Sequence, residues 1–350
     1  MERAFLYYSV FVTLIVSIAF ISCNKDDDFI YNPQTGDVYV AGYIHNAQEI
    51  DVATVWKNGK LHHLTDGKQN ACANSVYVSG GDVYVAGYES YTQEINVAKL
   101  WKNGKPQNLT EGTRYAAANS VFVSDGNVYV AGYEASGQEY TDRSGAYRYI
   151  AKLWKNGVAQ NLTDGTNEAQ AKCVFVSGSD VYVAGYERNE DGNNYAKVWI
   201  NGVVHNISDN YSMAFSVFVS DNNIYVGGSE GGYTSATVWT NGISQILHNG
   251  TMQTSSSVSS IFVSAGDIYV VGTSYYDYHS MSSQTARLWK NDVEENYSHA
   301  SFSSVYVSDS GDVYVAGRHE AGNAVLWKNG IEQNLSEVQY SRANSVFVLE

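Results

Sequence analysis

Four glutamates, Glu89, Glu134, Glu187 and Glu230, fall 45, 53 and 43 residues apart. Each follows a stretch of the form VYVAGY or a close relative. Paired carboxylates are the apparatus of glycosidic bond cleavage, one serving as acid and the other as base or nucleophile. An arc of carboxylates could instead hold a cation or a basic group of a partner. Even repetition weighs against catalysis, because an active site normally breaks a repeat at one or two positions. The three remaining equivalent positions hold Ile44, Ser274 and His319. A second set is aromatic. The stretch 133–149 contains Tyr140, Tyr147 and Tyr149, with Asp142, Arg143 and Arg148. The stretch 273–285 contains Tyr275, Tyr276, Tyr278 and His279. Tyrosine offers apolar area and a hydroxyl together, which suits carbohydrate or protein contacts. A solvated polar rim with no ligand is the competing reading of both sets.

Other chemistry finds no support. There is no GxSxG, P-loop, HExxH or DxDxDG pattern. His62 and His63 are neighbours in a strand-like segment, so their side chains point to opposite faces and cannot chelate together. No metal and no cofactor is expected. The formal charge is −15, from 36 acidic and 21 basic residues. Nucleic-acid affinity rests on neutralising phosphates, so such a partner is excluded. Of the three cysteines, Cys72 and Cys173 lie about one hundred residues apart in non-adjacent repeats and read as thiols rather than a disulfide.

The elements that must position these residues are repeats. The segment GDVYVAG at 36 returns as GDVYVAG at 81, GNVYVAG at 126, SDVYVAG at 179, NNIYVGG at 222, GDIYVVG at 266 and GDVYVAG at 311. Each unit has four strand-like pieces: an SVFVS piece, the VYVAG piece, a piece ending in tryptophan, and a QNLT-like piece. An Asn-Gly pair joins the last two, as at Asn58-Gly59 and Asn103-Gly104. It is a strong hairpin signal, because a type I′ turn needs positive φ at both central residues. The sixth unit has Asn291-Asp292 instead. High Tyr, Val, Ser and Gly, with only 2 prolines, agree with a strand-and-turn chain.

Four antiparallel strands recurring every 40 to 50 residues mark a propeller blade. The first unit lacks its SVFV piece, while the chain ends on a spare one, Ser345-Val346-Phe347-Val348. The spare strand should complete the first blade and close a ring. The pattern over residues 36–350 resembles the β-propeller superfamily, with a strand order similar to that of NHL-repeat proteins. The expected fold is therefore all-β, a seven-bladed β-propeller of four-stranded antiparallel blades. The tryptophans Trp56, Trp101, Trp154, Trp199, Trp239, Trp289 and Trp327 share one repeat position and read as packing between blades. Tyr39, Tyr84, Tyr129, Tyr182, Tyr225, Tyr269 and Tyr314 read likewise.

In such a ring, one end carries the short first-to-second and third-to-fourth turns. The other carries the variable second-to-third and blade-to-blade loops. Binding favours variable loops on a rigid scaffold, so the loop end is the candidate face. It holds Glu89, Glu134, Glu187, Glu230, Tyr140, Tyr147, Tyr149, Tyr275, Tyr276, Tyr278, His279 and His319.

The N-terminus reads as an address. Arg3 precedes an apolar run from Ala4 to Ile21, then Ser22-Cys23. This resembles a bacterial lipoprotein signal peptide, with Phe20 where leucine is commonest; an uncleaved membrane anchor is the alternative. The resemblance implies cleavage before Cys23 and its lipidation. Asn24-Lys25-Asp26-Asp27-Asp28 is similar to the surface-export tag of Bacteroidota lipoproteins. The expected organisation is a signal peptide over 1–22, a lipidated spacer over 23–35 and the propeller over 36–350. The protein would be a monomer on the outer membrane, surface-exposed or alternatively facing the periplasm. It would bind a glycan or a protein. A carbohydrate-active enzyme, hydrolase or lyase, is the alternative.

Overall fold

The computed structural model describes residues 30–92, 95–139, 147–232, 234–250, 254–276, 284–320 and 322–350. The signal sequence, Cys23 and the export tag lie outside them. Seven four-stranded antiparallel sheets are arranged as a β-propeller. Blade 2 shows the plan, with strands Ala71–Ser79, Asp82–Ser90, Asn96–Lys102 and Lys105–Asn108. The SVFV-type strands lie innermost, each touching its counterparts in the neighbouring blades.

Blade 1 is completed by the C-terminal strand Arg342–Val348, which pairs with Val38–His45 in the register Val38↔Val348 and Val40↔Val346. The ring therefore closes as the missing and spare pieces require. Gly36 N–H donates to Leu349 O at 2.7 Å and Leu349 N–H to Asp37 O at 3.0 Å, extending the seam by two bonds.

Each tryptophan is buried between two blades. Trp101 of blade 2 packs on Tyr39, Ala41 and Val55 of blade 1, and Trp56 of blade 1 packs on Tyr314 and Ala316 of blade 7. The glycine of each VYVAG piece makes room for this. The inner strand carries a bulge at that level, between Ala73 and Ser75 in blade 2. The bulge presses a carbonyl against the glycine, so that a Cβ on Gly87 would sit 1.9 Å from Cys72 O.

Two further belts stitch the ring. The residue after each bulge is usually serine, and its hydroxyl accepts a backbone N–H from the next blade. Val121 donates to Ser75 at 3.1 Å, Val174 to Ser120 at 3.2 Å and Ile261 to Ser216 at 3.1 Å. Two residues further along, seven half-buried rings meet at tilted angles of 43–57° around the axis. They run Tyr77, Phe122, Phe175, Phe218, Phe262, Tyr306 and Phe347, and back to Tyr77. Centroid spacings are 4.6–5.4 Å. This collar narrows the channel near its turn end.

At the turn end a repeated clamp holds each hairpin. Asn103 Oδ1 accepts from Val83 N–H at 2.8 Å, and its Nδ2 donates to Asp82 at 2.6 Å. Lys102 pairs with the same aspartate at 2.7 Å and stands over the Tyr84 ring. Blade 6 keeps this asparagine, as Asn291, while aspartate replaces the glycine at φ 69°. Five of the repeated tyrosines, Tyr39, Tyr84, Tyr129, Tyr269 and Tyr314, thus support lysines as well as packing.

Candidate functional site

The strand ends at the loop end are longer than the sequence pattern suggests. The second and third strands of blade 3 run Asn127–Glu139 and Tyr147–Lys155. Tyr149 therefore pairs with Ala135, and Tyr275 with Gln284 in blade 6, rather than lying on free loops. Tyrosine is a strong strand former, and the ladder continues until the chain must turn. Tyr140, Tyr278 and His279 lie outside the described residues, as do the side chains of Tyr147 and Tyr276.

The four repeated glutamates do share one end of the ring, but as partnered groups. Glu89 pairs with Lys99 at 2.8 Å, Glu134 with Lys152 at 2.6 Å and Glu187 with Lys197 at 3.8 Å. Glu230 accepts from Ser208 Oγ at 2.6 Å and Asn210 Nδ2 at 3.0 Å. The arc is a set of contacts within or beside single blades, not a pool of free carboxylates. His319 is engaged in the same way, with Nε2 2.7 Å from Glu332 and its ring against Trp327. Among the described residues, no group of three or more His, Cys, Asp and Glu side chains is arranged to hold a metal ion.

The unusual chemistry lies one layer inward, on the channel wall. Three inner strands carry asparagine just before the bulge serine or cysteine position, and each caps the next blade. Asn74 donates to Ala118 O, Asn119 to Ala171 O and Asn344 to Ala73 O. In blade 4 that position is Lys172. Its Nζ donates to Gln170 Oε1 at 2.7 Å and stands 5.7 Å and 6.0 Å from the Tyr186 and Tyr133 ring centres. Enclosure by protein pushes the Lys172 ammonium down to about 8, against the pull of Glu168. Glu168 is itself paired with Arg188 at 3.0 Å. Arg342 of blade 1 stands where blades 2 and 3 have Cys72 and Ala117. Its Nε and Nη2 donate to Ser303 Oγ at 3.2 Å and 3.1 Å. Arg318 lies opposite Ser301, and burial and the charge of Arg342 lower its pKa.

Tyrosines run between these cations. Tyr43, Tyr88 and Tyr133 occupy one repeat position in blades 1 to 3, and burial raises the pKa of all three. Tyr149 meets Tyr133 edge-on at 4.7 Å, and Tyr115 lies 6.3 Å and 6.0 Å from the two. Asn96 Nδ2 fixes the Tyr115 hydroxyl at 2.9 Å. The equivalent positions in blades 5 and 6 are Ser229 and Thr273, and Arg318 fills that of blade 7. Tyrosine thus fills this position in blades 1 to 4, and a buried small polar residue does so in blades 5 and 6. Sequence reasoning placed Tyr149 and Tyr275 at this end but passed over Lys172, Arg318 and Arg342. The signal was there: each breaks its repeat.

Cys72 and Cys173 are free thiols. Cys72 Sγ donates to Asn74 Oδ1 at 3.2 Å, and burial pushes the thiol up to about 12. Cys173 replaces the belt serine, and its Sγ faces Val217 O at 3.9 Å.

No protein-family model matches this chain, and no curated sequence does. Solved structures match the fold. A Mycobacterium tuberculosis puromycin-hydrolyzing peptidase is 11% identical at a TM-score of 0.56, covering 88% of this chain and 53% of its own. Pyrococcus horikoshii acylaminoacyl peptidase is 10% identical at a TM-score of 0.50, covering 87% and 52%. A Trypanosoma rangeli sialidase is also similar, 10% identical at a TM-score of 0.47, covering 84% and 57%. The chain spans about half the length of these proteins. At such identities the likeness is one of fold.

Proposed function

We propose that this protein is a cell-surface binding module, tethered to the outer membrane through a lipidated Cys23, that takes a glycan at the loop end of its channel. The observation that carries the reading is the tyrosine cluster of Tyr88, Tyr115, Tyr133 and Tyr149 at that end. It combines flat apolar faces with hydroxyls, the chemistry that sugar rings require.

The path of the N-terminal segment supports the orientation. Tyr39 donates to Ile30 O at 3.1 Å, Lys57 donates to Asn32 O at 2.8 Å, and Tyr31 meets His62 edge-on at 5.2 Å. These contacts hold residues 30–33 at the turn end. A lipid on Cys23 would draw the turn end toward the membrane and leave the loop end facing out. Enzymatic cleavage by the repeated glutamates is disfavoured, since three of the four are each held by a lysine. A glycan array with product analysis on every hit tests the reading. Retention without product is expected; cleavage abolished by Glu134→Gln or Glu187→Gln would replace it with the enzymatic alternative. Failure to retain any glycan would leave a protein partner as the ligand.

A further inference from the structure

We infer that the loop end of the channel accepts an acidic saccharide, with Lys172 and Arg342 supplying the positive charge that recognises its anionic groups. The inference rests on the glycan reading above and narrows it to a ligand class.

The first support is the pairing pattern. Seven lysines of the blades are neutralised, Lys57, Lys102, Lys290 and Lys328 by turn-end aspartates and Lys99, Lys152 and Lys197 by glutamates, while lysines left over elsewhere, such as Lys105 and Lys155, are exposed to solvent. Among the described residues, Lys172 and Arg342 have no carboxylate within ion-pair distance. A chain with 36 acidic residues has no shortage of partners. An enclosed cation without a counter-ion costs stability, and an arriving anion would recover that cost.

The second support is the break in symmetry. Both residues stand on inner strands, at positions filled by asparagine or by small or neutral residues in the neighbouring blades 2 and 3. Structure alone is served there by Asn74 and Asn119. Arg318 adds a third positive group between blades 7 and 1, where it lowers the local cost of a negative charge further.

The third support is shape. The collar of seven aromatic rings narrows the far end, so a ligand enters from the loop end and meets the cations before the collar. Blades 1 to 4 offer it tyrosine faces. Blades 5 and 6 carry the small polar residues Ser229 and Thr273 there, both buried, so the open faces at this end belong to the tyrosines. Phenols and amides at this end match a polyhydroxylated body better than the apolar side chains of a peptide.

The test is calorimetric titration of the full chain, purified in detergent. The probes are uronic-acid oligosaccharides, sulfated oligosaccharides and neutral hexose oligosaccharides of equal length. At least one acidic series should bind at least tenfold more tightly than the neutral one, more weakly as salt rises, and the better series tells carboxylate from sulfate. Lys172→Gln and Arg342→Gln should each weaken acidic binding about tenfold, Lys172→Arg should restore most of it, and Lys105→Gln, an exposed turn-end control, should not change it. Thermal melts of each variant check folding. Equal binding of neutral and acidic probes, indifferent to Lys172, overturns the inference while the glycan reading stands. Failure of every saccharide overturns both. An acidic peptide that binds with the same dependence on Lys172 and Arg342, where the saccharides do not, overturns the choice of saccharide.

Discussion

The backbone N–H of Val76 donates to the hydroxyl of Ser345 at 3.3 Å, joining residues 269 positions apart. The bond is one link of the serine belt, and it exists only because the last strand of the chain stands in the first blade. The next link, Val346 to Ser304 at 3.3 Å, continues from the same strand into blade 7.

Removal of residues 343–350 should therefore open the ring. It strips Ala343, Val346 and Val348 from the core and bares Val40 and Trp56. The loss is roughly 5 kcal/mol or more, a large share of a domain's stability. Thermal unfolding should show a much lower midpoint; an unchanged one would contradict closure.

The repeated glycine is a packing requirement. Gly87→Ala puts a methyl group 1.9 Å from Cys72 O, and both are backbone-held. The expected cost is about 3 kcal/mol. Gly126→Ala, where no atom lies within 4 Å, carries only the strain of its positive φ of 73° and should cost about 1 kcal/mol. Urea unfolding of the pair measures the difference.

In the hairpin turns, asparagine matters more than glycine. Asn241→Ala removes the acceptor for Ile224 N–H at 2.9 Å and a favourable residue at φ 50°. Its cost should be about 1–2 kcal/mol. Gly242→Asp should cost less, since Asp292 already fills the equivalent place in blade 6. A reversed order in denaturant melts would refute the clamp.

Lys172→Met should raise stability near neutral pH by on the order of 1–2 kcal/mol, because it removes an enclosed charge. The folded-state pKa of about 8 lies below the ordinary 10.5. Below pH 8 the ammonium is charged in both states and the full cost is present. Between pH 8 and 10.5 the folded protein loses the proton first, and the cost fades. The groups facing it are Glu168, Gln170, Tyr133 and Tyr186, and Tyr133 is pushed above this window by burial. The advantage of the variant in thermal melts should shrink from pH 7 to pH 10. A Lys172→Met protein that is less stable at pH 7 would show that the lysine is structural.

Cys23→Ala should release the protein from membranes into the soluble fraction. Persistent membrane association of that variant would favour an uncleaved anchor.

Much of this architecture is legible in one dimension. The VYVAG pieces, tryptophans and hairpin turns each count seven blades, and the unmatched first and last strands announce the seam. Such features are local, or repeat at a fixed interval, so sequence inspection finds them. The candidate site is less legible. Glu89, Glu134 and Glu187 look like a free acidic arc because Lys99, Lys152 and Lys197, which neutralise them, sit on the next strand and are brought alongside by hairpin register. Lys172 and Arg342 each break their repeat, but they lie 170 residues apart and share one channel only when the ring closes. By itself, the sequence determined the blade, its number and its closure, since these follow from periodicity and the chemistry of turns. Only the tertiary structure decided which charges are spent and which are left over, because that depends on neighbours set by register and by the curvature of the ring.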